Sequence, residues 1–377
     1  LRGQWSNGML PHMIFSDRGI HKTDSNIWQS WRSPFAPDNV NTSGLTQPPV
    51  LAEAVVRVGE KLPLRERRSW YQDMFPALLA YHEWLYNERD PHHEGLILLI
   101  HPWESGLDNS PPWIKQLHTH SKPWWISFVE KTNLDKLVLL FRRDTQHVPP
   151  GQRLNNIDAL LYYSVLQRLK RKNWDIDIIL NRSHFAVEDL AFNSIFIRAN
   201  TLLKNIAKTI GHTITDELLE RMNKSEEALN KLWDGYYSQY FSRNFVTHKF
   251  IKESSLSTLL PLYSGVISKE RAQELVLKLH DKKLFDSSYP VASVPLKNEW
   301  YKELGYWQGP TWINTNWIII DGLKRYGFHE EAKRIAEASV SLVSKHGAFE
   351  YFSAKSGEPA GANNFSWTAS LIVDILS

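Results

Sequence analysis

Cysteine is absent from the 377 residues. That excludes disulfides, thiolate metal sites and a cysteine nucleophile, and gives no sign of an oxidising compartment. Long apolar runs are also missing. The longest, "GLILLI" and "WIII", fall far short of the roughly 20 residues of a membrane span, and the opening "LRGQWSNGMLPH" lacks the layout of a signal peptide. Charge of one sign is lacking too. Lys and Arg number 44 against 41 acidic residues, mixed along the chain, so the net charge of +3 creates no field suited to nucleic acid or an anionic membrane. A soluble, cytoplasmic, globular protein is expected, with no polyanion or membrane partner. No low-complexity tail or linker divides it, and residues 1–377 read as a single domain.

What is abundant is aromatic: 16 Trp, 14 Tyr and 16 Phe. A large aromatic core accounts for most of them. The informative ones lie in loops rich in Gly, Pro and Asn. "HPWESGLDNSPPW" at 101–113 packs two carboxylates, two indoles and three prolines into thirteen positions.

The dominant period is helical. Residues 187–210 carry Leu190, Ile195, Leu202 and Ile206 on one broad apolar face, opened by Glu188 and Asp189 and closed by Gly211. A second amphipathic stretch, "TDELLERMNKSEEALNKLWDGYY", places Leu218, Met222, Leu229, Trp233 and Tyr236 on one face. Further helices are expected over 48–59, 64–89, 153–172, 254–263, 268–281, 310–326, 329–345 and 364–376, with Pro76 inside the second of these. Strand signals are few, "GLILLIHPW" and "FVTHKFI". Ten helices with short hairpins fit an all-α ring of paired helices better than a central sheet.

Three loops combine carboxylates, amides and aromatic rings: 101–113, 306–316 ("YWQGPTWINTN") and 347–368 ("GAFEYFSAKSGEPAGANNFSWT"). Such a mixture suits a sugar, whose C–H faces stack on indole while its hydroxyls take up acceptors and amide donors. Glycoside hydrolysis needs two carboxylates as well, and the first and third loops supply candidates. Asp108 competes with Glu104 for the acid, and Glu350 with Glu358 for the base. Asp108 in "LDNS" is equally an Asx turn, and Glu358 in "SGEP" reads as an exposed turn residue. Trp307 and Trp312 are a sugar platform or core packing at a helix start. "HTH" at 118–120 and "HH" at 92–93 have no carboxylate at helical ligand spacing, so no metal and no cofactor is assigned. The basic run "RLKRKN" at 168–173 reads as a solvated helix end.

Six motifs in order, "QWSNGMLPH" at 4–12, "SGLTQPP" at 43–49, "HPWESGLDNSP" at 101–111, "RRDTQHV" at 142–148, "YWQGPTW" at 306–312 and "FEYFSAKSGEPAGANNFSWTA" at 349–369, resemble glycoside hydrolase family 63. The likeness is to its mannosylglycerate and glucosylglycerate hydrolases in particular. The resemblance implies an (α/α)6 toroid of twelve helices, of which the first pair would lie outside this sequence. It implies an inverting exo-acting α-glycosidase for a small α-hexoside such as glucosylglycerate or mannosylglycerate. Asp108 falls on the general acid and Glu350 on the general base, with Trp5, His12, Gln47, Trp103, Glu104, Tyr306, Trp307, Gln308, Gly309 and Trp312 lining the sugar site. Arg142 and Arg143, in a loop read as a lid, are the candidates to grip a glycerate carboxylate. Alternatives are an α-glucosidase trimming oligosaccharides, a sugar isomerase or epimerase on the same scaffold, and an inactive carbohydrate-binding protein. Paired histidines in the inner loops would favour an isomerase, and those loops carry Asp and Glu instead.

Overall fold

A computed structural model of the chain describes residues 2–16, 21–120, 122–140, 142, 144–146, 148–181, 183 and 185–377. Its elements are overwhelmingly helical, and its strands, each two residues long, form only small antiparallel pieces. None of the described helices is long and apolar enough to cross a membrane. The chain divides into two compact units. The first comprises Leu1–Gly106, Ser164–Lys231 and Arg243–Lys249, and the second Leu107–Tyr163, Leu232–Ser242 and Phe250–Ser377.

In the first unit the helices Leu51–Lys61, Leu64–Arg89 and Leu190–Ile210 pack against one another, and Asp216–Asn230 packs on the last of them. Leu64–Arg89 buries Tyr71, Phe75, Leu78, His82 and Leu85, a stripe at helical spacing that runs through Pro76 without ending the helix. Leu190–Ile210 is nearly enclosed. It starts where the Asp189 side chain accepts from the Phe192 amide at 2.8 Å and stops at Gly211, whose φ of 77° supplies the left-handed cap. Glu188, expected to open this helix, lies instead in a strand: Val187–Glu188 pairs with Leu98–Leu99 and Arg243–Asn244. Buried Asn193 ties the helix to this sheet region by accepting from the Ile97 amide at 2.7 Å and donating to its carbonyl at 2.9 Å.

The helix expected to reach Tyr236 ends at Asn230. Beyond it, Asp234 accepts from the Tyr236 amide at 3.0 Å, and this local turn outcompetes helix continuation. In the second unit Trp233–Asp234 pairs instead with Gln239–Tyr240, and Tyr236 is exposed. There the core is built by Ile313–Arg325, His329–His346 and Ser366–Leu376, with Ile313, Leu342, Phe352 and Ile372 packed together. The helix expected over 254–263 is broken into a 3₁₀ turn, Leu256–Leu259, and a single α turn from Pro261, because proline has no amide to continue the ladder.

Four short helices escaped the sequence reading: His21–Trp28, Pro111–His120, Trp124–Lys131 and Ile176–Leu180. The second matters for function. Pro111 and Pro112 occupy its first turn, where a missing amide hydrogen costs nothing. The acidic stretch 101–110 is therefore the approach to a helix, with a 3₁₀ turn at Pro102–Ser105 and a separate turn at 107–110.

Candidate active site

Asp108 sits in the turn closed by the Ser110 amide on the Leu107 carbonyl at 2.9 Å. Further contacts fix the turn. The Asp108 carbonyl accepts from the Trp113 indole at 2.8 Å and from the Tyr162 hydroxyl, while the next residue, Asn109, engages a second loop. The Asn109 side chain donates to the Gly305 carbonyl at 3.0 Å and accepts from the Trp307 amide at 2.7 Å, and its carbonyl accepts from Gln308 at 2.9 Å. One buried amide thus locks 107–110 to 305–308. Tyr306, held at φ 65°, then donates its hydroxyl to Asp108 Oδ2 at 3.1 Å. Desolvation raises the Asp108 carboxyl to about 7, with Glu350 adding to the rise and the Tyr306 hydrogen bond and the Arg153 charge opposing it. A large share of the group therefore stays protonated at neutral pH.

Glu350 is nearly buried, and its backbone donates to the Ala362 carbonyl at 2.8 Å. Oε2 accepts from the Ala362 amide at 2.9 Å and from Arg153 Nη2 at 2.7 Å. Gly361 makes this seat possible. Its φ is 75°, and a β-carbon there would lie 2.6 Å from Oε2. Arg153 is held by its neighbour: Gln152 accepts from the Tyr351 hydroxyl at 2.7 Å through its carbonyl and from the Gly361 amide at 2.8 Å through its side chain. The Arg153 guanidinium also lies over the Tyr306 ring, 5.1 Å from its centre. A continuous path results, Asp108–Tyr306–Arg153–Glu350. Arg153, Gln152 and Asn109 were missed from sequence, since "PPGQRLNN" carries no motif and the second residue of "DN" looks like turn chemistry.

Other sequence candidates are placed differently. Trp307 and Trp312 stack face to face at 3.8 Å and 4°, both essentially inaccessible, with the Trp312 indole donating to the Tyr306 carbonyl at 3.0 Å. They are core beneath Tyr306 rather than a platform open to a sugar. Trp312→Ala is accordingly expected to cost about 3–5 kcal/mol of stability, as a large core truncation does. Thermal unfolding checks this: a variant that melts like the parent but binds sugar weakly would restore the platform. Gln308 is buried on Asn109, and the Gly309 amide donates to Ser293 at 2.9 Å where any β-carbon would meet the Lys302 carbonyl at 2.2 Å. Both shape the loop. Glu358 is exposed, as its turn context predicts.

Glu104, the rival acid, belongs to the first unit and has no capacity left. Fully buried, it takes Arg89 bidentately at 2.8 and 3.0 Å, the Ile100 amide at 2.8 Å and the Thr46 amide at 3.4 Å. It is a buried ion pair, not a hydroxyl acceptor. Trp5 is buried with its indole on Thr42 at 2.9 Å. Gln47 is exposed and donates to the Trp103 carbonyl at 3.4 Å, and Trp103 packs against Trp28 at 5.6 Å and His101 at 4.7 Å. His12 shares a hydrogen bond with Ser43 at 2.8 Å and meets Trp28 edge-on, and burial lowers its imidazole to about 4. It is a neutral structural histidine. Trp28, Trp103 and Trp174 nevertheless gather in this unit with rings about each other.

Arg142 donates to both oxygens of Asp144, to the Leu154 carbonyl at 2.6 Å and to Asn156 at 3.2 Å. It braces its own loop. Arg143 lies outside the described residues. The run at 168–173 is not wholly solvated either, because Lys170 is buried with its ammonium on the Ile27 carbonyl at 3.0 Å.

Residues 1–368 match the family model described as the mannosylglycerate hydrolase MGH1-like glycoside hydrolase domain. Among curated proteins, a mannosylglycerate hydrolase of Rubrobacter radiotolerans is 33% identical over 99% of this chain and 83% of its own length. A glucosylglycerate hydrolase of Mycolicibacterium hassiacum is 27% identical over 100% of this chain and 85% of its own. Among solved structures, the family 63 mannosylglycerate hydrolase of Thermus thermophilus in complex with Tris and D-glycerate matches with a TM-score of 0.87 and 33% identity, covering 100% of this chain and 86% of that one. The all-α class expected from sequence, the (α/α)6 toroid with small hairpins in its loops, is the class these relatives share.

Proposed function

The chain belongs to the mannosylglycerate hydrolase MGH1-like glycoside hydrolase family and is a glycosidase, and from that premise we propose that it inverts a small α-hexosyl glycerate with Asp108 as acid and Glu350 as base. The observation that carries this reading is the contrast between the two carboxyls. One is desolvated, raised to about 7 and so able to give a proton at neutral pH; the other is clasped by a guanidinium and an amide.

In the proposed reaction Asp108 protonates the glycosidic oxygen as the bond from the anomeric carbon to that oxygen breaks. A water attacks the same carbon from the opposite face, and Glu350 Oε1 accepts its proton, Oε2 being occupied by Arg153 and Ala362. The products are glycerate and the hexose with inverted configuration. An α-linked substrate therefore releases the β-anomer first, which proton NMR during the first turnovers reads directly; an α-anomer as first product excludes inversion.

The relatives named above act on mannosylglycerate and glucosylglycerate, whose aglycone bears a carboxylate. Arg142, engaged with Asp144, is not placed to grip it, whereas Arg153 bonds Glu350 and lies over the ring of Tyr306, whose hydroxyl bonds Asp108. A guanidinium there matches a second carboxylate in shape and charge. Glucosylglycerate or mannosylglycerate should then be cleaved at least about tenfold better, by kcat/KM, than the matching neutral glycosylglycerol, and Arg153→Ala should abolish the difference. If both rates fall by one factor, Arg153 only seats Glu350. A preference for α-linked disaccharides would instead favour the oligosaccharide-trimming reading.

A further inference from the structure

Two turns of the first unit bring three ligand-type side chains together. His92 and Glu94 lie in "DPHHEG", and His248 in "NFVTHK", at a sequence separation that hides their proximity. One donor atom from each lies within 4.8 Å of the others, and His248 Nδ1 is 3.7 Å from Glu94 Oε2. We propose that His92, Glu94 and His248 form a zinc-binding site, outside the residues assigned to hydrolysis.

The two turns are fixed independently of any metal. Asp90 accepts from the amides of Glu94 and Gly95 at 2.8 and 3.0 Å, which sets the first turn. In the second, the Asn244 side chain accepts from the Val246 and Thr247 amides at 3.1 and 2.9 Å, and the amide of His248, at φ 53°, closes back on the Asn244 carbonyl at 2.9 Å. The His92 ring stacks on Phe245 at 4.8 Å and 24°, and this restricts where its nitrogens point. The backbone is therefore in place before the ion arrives, and only side-chain torsions remain to adjust.

The donor set narrows the choice of ion to the imidazole-binding transition metals, of which zinc is the redox-inert one. Two imidazoles and one carboxylate suit zinc, whereas calcium and magnesium want oxygen donors throughout. Zinc–ligand bonds of about 2.0–2.1 Å in a tetrahedron place neighbouring donors roughly 3.4 Å apart, so the side chains close by about an ångström, leaving one position for water. Charge permits it. Arg243 donates to Glu94 and also to Glu188, at 2.7 Å for one oxygen of the latter, so two carboxylates face one guanidinium and a net negative charge remains for a cation. Arg243 holds Glu94 Oε2, the oxygen that faces His248, and so fixes the carboxylate in place as outer contacts of metal sites do. His93, next in sequence, is excluded because it accepts from Arg221 at 2.8 Å. The pair His118 and Asp158, joined at 2.7 Å, has no third ligand among the described residues.

The test is calorimetric titration of the full chain, free of any histidine tag, with zinc chloride alone, paired with thermal unfolding. Expected are one saturable zinc site per chain and a rise in melting temperature that magnesium chloride does not produce. His92→Asn and His248→Asn should each weaken zinc binding about tenfold or more and abolish the shift while leaving glycoside hydrolysis unchanged; Asn tolerates the left-handed backbone at 248. Equal zinc affinity in parent and both variants, or binding that never saturates, overturns the proposal.

Discussion

Asp108→Asn should lower kcat by roughly a hundredfold to ten-thousandfold, the range that a positioned general acid supplies. The substitution leaves the turn intact. Its fixed contacts run through the Asp108 carbonyl, to Trp113 and Tyr162, and through Asn109, and none needs the carboxyl. The Tyr306 hydroxyl can still donate to the amide oxygen. What disappears is the proton. With the parent carboxyl at about 7, its donating form is lost as pH rises through that value, so the parent's activity should fall on the alkaline side near neutrality. The stability contribution of this group is also lost as pH rises. A carboxyl raised from 3.8 to about 7 by folding favours the folded state while protonated, and that contribution is lost between those two values as pH rises. The replacement amide does not titrate, so the variant should gain stability relative to the parent across that same window and keep the difference above it. Urea melts at several pH values measure this. Near-normal kcat in the variant, or a parent rate that stays flat well above neutrality, would remove Asp108 from the acid role.

Much of this was legible in the sequence, and the failures have physical causes. The long helices were readable because burial on one face imposes a period, and Leu190–Ile210 even announced its caps in Asp189 and Gly211. Short helices such as Pro111–His120 are only a few turns long and begin with prolines, which read as loop. At the site, motif order picked out Asp108 and Glu350, and the structure places both in one network. It could not tell a platform tryptophan from a core one, because Trp307 and Trp312 differ from an open indole only in what covers them. Nor could it separate Glu104, saturated by Arg89 and two amides, from a carboxylate with lone pairs to spare. Arg153 was invisible for a third reason: its importance comes from Gln152 and Gly361, residues about two hundred positions apart that hydrogen-bond to each other.

Glu350→Gln should reduce kcat by a factor comparable to that of Asp108→Asn, since it removes the group assigned to take the water proton. Gln is the informative replacement because the seat survives it. An amide oxygen can accept from Arg153 and from the Ala362 amide as Oε2 does, so the variant should fold and bind substrate with little change. A second variant separates the position of the carboxylate from its presence. In Gly361→Ala the new β-carbon would lie 2.6 Å from Glu350 Oε2 and 2.7 Å from its Cβ, on a backbone at φ 75° that alanine adopts only under strain. The carboxylate must then leave its seat although its charge remains. If Glu350 is the base, Gly361→Ala loses kcat far more than it changes KM, because a base displaced by about an ångström no longer reaches the water while the sugar contacts persist. Arg153→Ala offers the converse perturbation, releasing the same oxygen without crowding it. Retention of full turnover in Glu350→Gln would transfer the base role to another carboxylate, and a loss of activity confined to a raised KM in Gly361→Ala would mark Glu350 as a binding group alone.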